Sequence, residues 1–149
     1  MKKYLPLMII GIVAVAAITA LFAFRTEGTE KGNKAAVSAG DMVEVFYFHL
    51  TRRCVTCQAV ENVSRDAVSE IYADEIKQGK VIFRALNIED KATETVAERA
   101  QATGQCLLVI SGETRIDLTS EGFMYAKTNP DRLKAELKKA IDPLLKEKK

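Results

Sequence analysis

Residues 43–61 read VEVFYFHLTRRCVTCQAVE, and the change of residue type inside that stretch decides the fold. The first part, VEVFYFHL (43–50), is rich in β-branched and aromatic side chains and reads as a buried strand. From Val55 onward the apolar period changes. Val60, Val63, Ala67, Val68 and Ile71 recur at helical spacing, which predicts a long amphipathic helix to about residue 76, closed by Gln78-Gly79-Lys80. Cys54 and Cys57 fall where the strand gives way to the helix.

Downstream, VIFRALNI (81–88) reads as a second strand, ended by the polar Glu89-Asp90. Residues 91–103 read as a second helix with Val96, Ala97 and Ala100 inward and Gly104 stopping it. CLLVI (106–110) is a short continuous apolar run, expected at the centre of a sheet. Ser111-Gly112-Glu113 is a turn, and TRIDL (114–118) alternates as the second strand of a hairpin. A short helical stretch is expected near 122–127, with Phe123, Met124 and Tyr125 as packing residues. The last helix starts with Asn129 as N-cap and Pro130 in its first position, and carries Leu133, Leu137, Ile141, Leu144 and Leu145 as an apolar stripe. The element order β-α-β-α-β-β-α predicts an α/β domain: a mixed four-stranded sheet, helices on both faces, and the hairpin as the antiparallel edge.

Upstream, residues 4–24 contain no charge, and only Pro6, Gly11 and Thr19 lie outside the hydrophobic set. As a helix this run spans ~31 Å, close to the ~30 Å of a bilayer's hydrocarbon core. Lys2 and Lys3 precede it, and the positive-inside rule keeps them in the cytoplasm, with the rest of the chain on the outer side. Ala14-Val15-Ala16 resembles a signal-peptidase site, but the apolar run continues to Phe24, longer than the about 7–15 residues of a signal peptide, so an uncleaved anchor is favoured. Either way the domain is exported. Residues 25–41, RTEGTEKGNKAAVSAGD, read as a flexible linker. The expected organisation is an anchor at 1–24, a linker at 25–41 and a folded domain at 42–149. Without Lys2 and Lys3 the chain carries 20 basic and 20 acidic side chains, so no bulk positive charge points to nucleic acid.

The cysteine spacing has a chemical meaning. Cys54 stands at a helix N-terminus, where free backbone N–H groups and the positive end of the dipole stabilise a thiolate. Cys57 lies one turn further in, within reach for a disulfide and less exposed. Such pairs lower the leading thiol from ~8.5 into a range of about 3.5–7.5. Arg52 and Arg53 add cations next to Cys54 and push the same way. A thiolate that is accessible and also leaves well is what thiol–disulfide exchange requires, with Cys54 as nucleophile and Cys57 as the resolving thiol. The expected partner is a protein dithiol or disulfide.

Cys-x-x-Cys at the first strand–helix junction of such a chain resembles the thioredoxin superfamily. More narrowly, YFHLTRRCVTCQAVE (47–61), LNIED (86–90), QCLLVI (105–110) and GFMYAKTNPDRL (122–133) resemble the ArsF family of small membrane-anchored bacterial proteins, labelled "nitrophenyl compound nitroreductase subunit", over residues 42–146. The resemblance implies a thioredoxin-like fold and dithiol chemistry at Cys54 and Cys57. No glycine-rich phosphate loop or flavin signature is present, so no cofactor is expected, and a nitroreductase link would mean passing electrons to a partner. The sequence departs from thioredoxins in four places: Arg53 stands for their tryptophan, Val55-Thr56 for their Gly-Pro, Phe48 for their buried carboxylate and Gln105 for their cis-proline.

Other residues carry open alternatives. Cys106 reads as a small buried hydrophobe or as a third thiol beside the pair. His49, the one histidine, reads as a core residue or as a proton carrier for Cys57. Two rivals to the enzyme remain. One is a redox-inactive thioredoxin-like adaptor docked on a membrane complex. The other is a metal protein using Cys54, Cys57, Cys106 and His49 as ligands.

Overall fold

A computed structural model describes residues 42–146 of the chain, so the expected anchor at 1–24 and linker at 25–41 lie outside the described residues. Among the described residues no helix is long and apolar enough to cross a membrane. The elements run β1 (Val43–His49), α1 (Val55–Ile71), α2 (Ala73–Lys77), β2 (Val81–Asn87), a 3-10 turn (Lys91–Thr93), α3 (Glu94–Arg99), β3 (Cys106–Ser111), β4 (Thr114–Asp117), α4 (Thr119–Tyr125) and α5 (Pro130–Lys146).

The sheet has the order β2-β1-β3-β4, with β1 parallel to β2 and antiparallel to β3, and β3 antiparallel to β4. The parallel pair needs a crossover, which α1 and α2 supply. The mixed four-stranded sheet expected from the element order is present. β1 and β3 take the two inner positions, which is why CLLVI is apolar throughout, while β4 at the edge is mostly exposed.

A strand's period of two sorts the core into two layers. Val43, Val45, Tyr47, Leu107 and Val109 meet Val60 and Val68 of α1 and Leu133, Leu137 and Ile141 of α5 on one face. Phe46, Phe48, Cys106, Leu108 and Ile110 meet Ala97 and Ala100 on the other. Helices therefore cover both faces. Each fully buried Leu or Phe contributes about 1.5–3 kcal/mol relative to exposure. The α3 face also buries a charge: Glu44 takes two hydrogen bonds from Arg99, at 2.5 and 2.9 Å.

Two helices differ from expectation. The helix expected to run to residue 76 breaks at Tyr72, which leaves helical geometry and separates α1 from α2. Its ring is buried and its hydroxyl donates to Asp142 of α5 at 2.7 Å, so tertiary packing outweighs helical continuity there. The helix expected over 91–103 shrinks to the 3-10 turn and α3. Gln101, at φ 53°, ends it in the left-handed conformation, with Ala102 N–H donating back to the Ala97 carbonyl at 2.8 Å. Gly104 is not the stop. Near the functional end, Gly122 of α4 lies against α1: a Cβ there would sit 3.2 Å from Val60 Cγ1, so a side chain would crowd the start of that helix.

Candidate functional site

Between β1 and α1 the chain crosses a short loop that is tied down on its β2 side. Thr51 N–H donates to Glu89 Oε2 at 2.8 Å, and Thr51 Oγ1 accepts from Asn87 Nδ2 at 2.9 Å. Hydrogen bonding from the Thr51 side chain and from its backbone N–H holds the Glu89 carboxyl below its usual range. The loop thus delivers Cys54 to a defined place.

Cys54 is the N-cap of α1, with extended backbone (φ −79°, ψ 164°). Its Sγ accepts the N–H of Cys57 at 3.0 Å, satisfying one of the donors that a helix start leaves free. A serine or aspartate oxygen commonly fills that role; here sulfur fills it. The first turn of α1 carries no acidic side chain to oppose a negative sulfur. Cys54 and Cys57 form a disulfide with their Cα atoms 5.0 Å apart. Their surroundings differ sharply. Cys54 is exposed, and Val55 beside it is 68% exposed, while Cys57 is 5% exposed.

Behind Cys57 stands a polar pair. Gln105 Oε1 lies 3.9 Å from Cys57 Sγ, and Gln105 Nε2 donates to the hydroxyl of Tyr47 at 2.5 Å. Tyr47 is fully buried, and burial pushes its phenol up while the Gln105 bond pulls it partly back, so the hydroxyl stays protonated near neutral pH. Gln105 therefore joins α1 to β1 at the position where the thioredoxin resemblance leads one to look for proline.

The flanking cations divide. Arg52 is exposed and pairs with no carboxylate among the described residues. Arg53 does not stand free beside the sulfur: its guanidinium pairs with Glu61 of α1, which also pairs with Arg65. Glu61 is buried, so its charge offsets much of what Arg53 could offer Cys54.

His49 ends β1 with its Nδ1 3.0 Å from the Leu50 carbonyl, and it makes no hydrogen bond to either sulfur of the pair. Cys106 lies across the sheet, free and buried in the Phe46–Phe48–Leu108 layer. Burial pushes its thiol up to about 11, Asp117 adding to the rise and Arg115 opposing it. The structure thus gathers Cys54, Cys57 and Gln105, places Arg53 nearby but neutralised, and turns Cys106 to the other face. No group of three or more His, Cys, Asp or Glu side chains among the described residues is placed to hold a metal ion.

Two residues of the site escape the sequence reading. Tyr47 shares the strand parity of the α1-facing residues, but its bond to Gln105 depends on how β3 enters the sheet. Glu61 stands four residues after Cys57 and four before Arg65, a spacing that marks a helix neighbour of both without revealing its link to Arg53. No protein-family model matches the sequence, and neither does any curated protein. The chemistry therefore rests on the geometry: one open sulfur on a helix N-terminus, one covered sulfur against an amide.

Proposed function

We propose that the chain is a membrane-anchored, exported thiol–disulfide oxidoreductase with a thioredoxin-like domain, akin to the ArsF family. The strand order, the parallel β1–β2 pair and a Cys-x-x-Cys at the start of the helix that follows β1 support the thioredoxin-like reading. The apolar run at 4–24, preceded by Lys2 and Lys3, supports the anchor and the outward-facing domain. The partner is a protein dithiol or disulfide.

One observation carries the function: the disulfide is asymmetric, with Cys54 open to solvent and capped by the Cys57 N–H, and Cys57 covered. In the reducing direction the Cys54 thiolate attacks a partner disulfide. A Cys54–partner bond forms and one partner sulfur leaves as thiolate, taking up a proton. Cys57, losing its proton, then attacks Cys54, which re-forms the internal disulfide and releases the second partner sulfur. Two electrons pass to the partner, and the oxidising direction is the reverse.

Replacing Cys57 with Ser removes the resolving step, so the variant accumulates a mixed disulfide through Cys54. Non-reducing gels and mass spectrometry of the full-length chain in membranes would read it. No adduct on Cys54, or adducts unchanged when Cys54 is also Ser, would overturn the proposal.

A further inference from the structure

The resolving thiol must give up its proton when it attacks, and a buried sulfur far from any base does so poorly, because burial disfavours the charged form. Among the described residues no carboxylate hydrogen-bonds the Cys57 sulfur: Glu61, one turn further along α1, is engaged by Arg53 and Arg65. The polar side-chain group at the sulfur is the Gln105 amide at 3.9 Å, held at its other end by Tyr47 at 2.5 Å. We propose that Gln105, oriented by Tyr47, is the residue that lets Cys57 change protonation state inside the fold, and so sets the pH dependence of the resolving step. This deepens the oxidoreductase reading and rests on it.

The chemistry of the three groups makes the assignment. An amide offers an acceptor on one arm and donors on the other, and a tyrosine hydroxyl both donates and accepts. Oε1 faces the sulfur in the disulfide form, and once the pair is reduced the amide in that orientation accepts the S–H of the thiol while Nε2 donates to Tyr47. With the amide turned over, Nε2–H donates to the thiolate while the Tyr47 hydroxyl donates to Oε1. Both orientations keep both partners, so the pair serves thiol and thiolate alike without carrying a charge. The amide transfers no proton; the Cys57 proton goes to water or to the departing partner sulfur. A hydrogen bond to an ionised sulfur is stronger than one to a thiol, so the net effect of Gln105 is to favour the thiolate. Tyr47 is a positioning residue: it touches neither sulfur in a hydrogen bond and acts through the amide.

The test measures the Cys57 thiol by the pH dependence of its labelled 13Cβ shift in full-length Cys54→Ser protein, where Cys57 is necessarily unpaired with Cys54. Gln105→Leu should raise the Cys57 pKa by about one unit, a tenfold loss of thiolate at neutral pH. Tyr47→Phe, which keeps the buried ring, should move it the same way by a smaller step. The double variant should equal Gln105→Leu alone, because Tyr47 acts only through the amide. A folded Gln105→Leu protein with an unmoved Cys57 pKa overturns the inference, as does a double variant whose shift is the sum of the two. Should Gln105→Leu fail to fold, an unmoved pKa in Tyr47→Phe overturns it alone. Failure of the wild-type pair to cycle with glutathione strikes the oxidoreductase reading instead, which separates the two failures.

Discussion

Gln105 and Cys106 are neighbours in the chain and live in opposite chemical worlds. Gln105 faces α1 and reaches the sulfur of Cys57; Cys106 faces α3 and is packed among Phe46, Phe48 and Leu108. Gln105 sits in the bend just before β3 and Cys106 is the strand's first residue, and the two side chains leave the chain on opposite sides of the sheet. The pair and Cys106 contain the same functional group, yet one cysteine caps a helix in the open and another is sealed in an apolar layer. What a thiol can do here is decided by which side of β3 it meets.

The sharpest break of this comparison is a contest of rates. In the reduced protein at pH 7, iodoacetamide should modify Cys54 at least about 10³ times faster than Cys106, since alkylation follows thiolate fraction and access. Peptide mass spectrometry over time reads both. Rates within tenfold of each other would erase the distinction.

Alkaline stability probes the sealed sulfur. The Cys106 thiol stands at about 11 in the fold, against about 8.5 in an unfolded chain. Between those values the unfolded chain has lost a proton that the folded chain keeps, so stability is full below about pH 8.5 and falls as pH rises toward 11. Urea unfolding at pH 8 and pH 10.5 should show a loss about 2 kcal/mol larger in the wild type than in Cys106→Ala. Equal losses would mean that the thiol is not sealed.

The smallest effect concerns the withheld cation. Glu61→Gln removes the charge that holds Arg53, so the Cys54 thiolate should gain and its pKa should fall, by up to about one unit. The rate–pH curve of Cys54 alkylation reads the shift. An unmoved or raised value would show that Glu61 does not restrain Arg53.

Much of this was legible in the sequence. The period change across 43–61 gave the strand and helix, and the helix start foretold why Cys54 would be the open sulfur. Apolar CLLVI announced an inner strand because it meets helices on both sides. Local pattern failed where distant groups decide. Tyr72 breaks a helix for the sake of Asp142, Gln101 takes a left-handed turn usually left to glycine, and Arg53 is claimed by Glu61. In the sequence Gln105 stands in the place of the thioredoxin proline and is a candidate for tuning the pair, but its bond to Tyr47 exists only once the sheet is assembled.

The most direct measurement is a redox titration of the full-length protein in glutathione buffers, with each cysteine's state read by quenched alkylation and mass spectrometry. The account predicts one reversible two-electron transition in which Cys54 and Cys57 convert together while Cys106 stays a free thiol throughout. A pair that never reduces across the series, or that reduces without re-forming its bond, would contradict it.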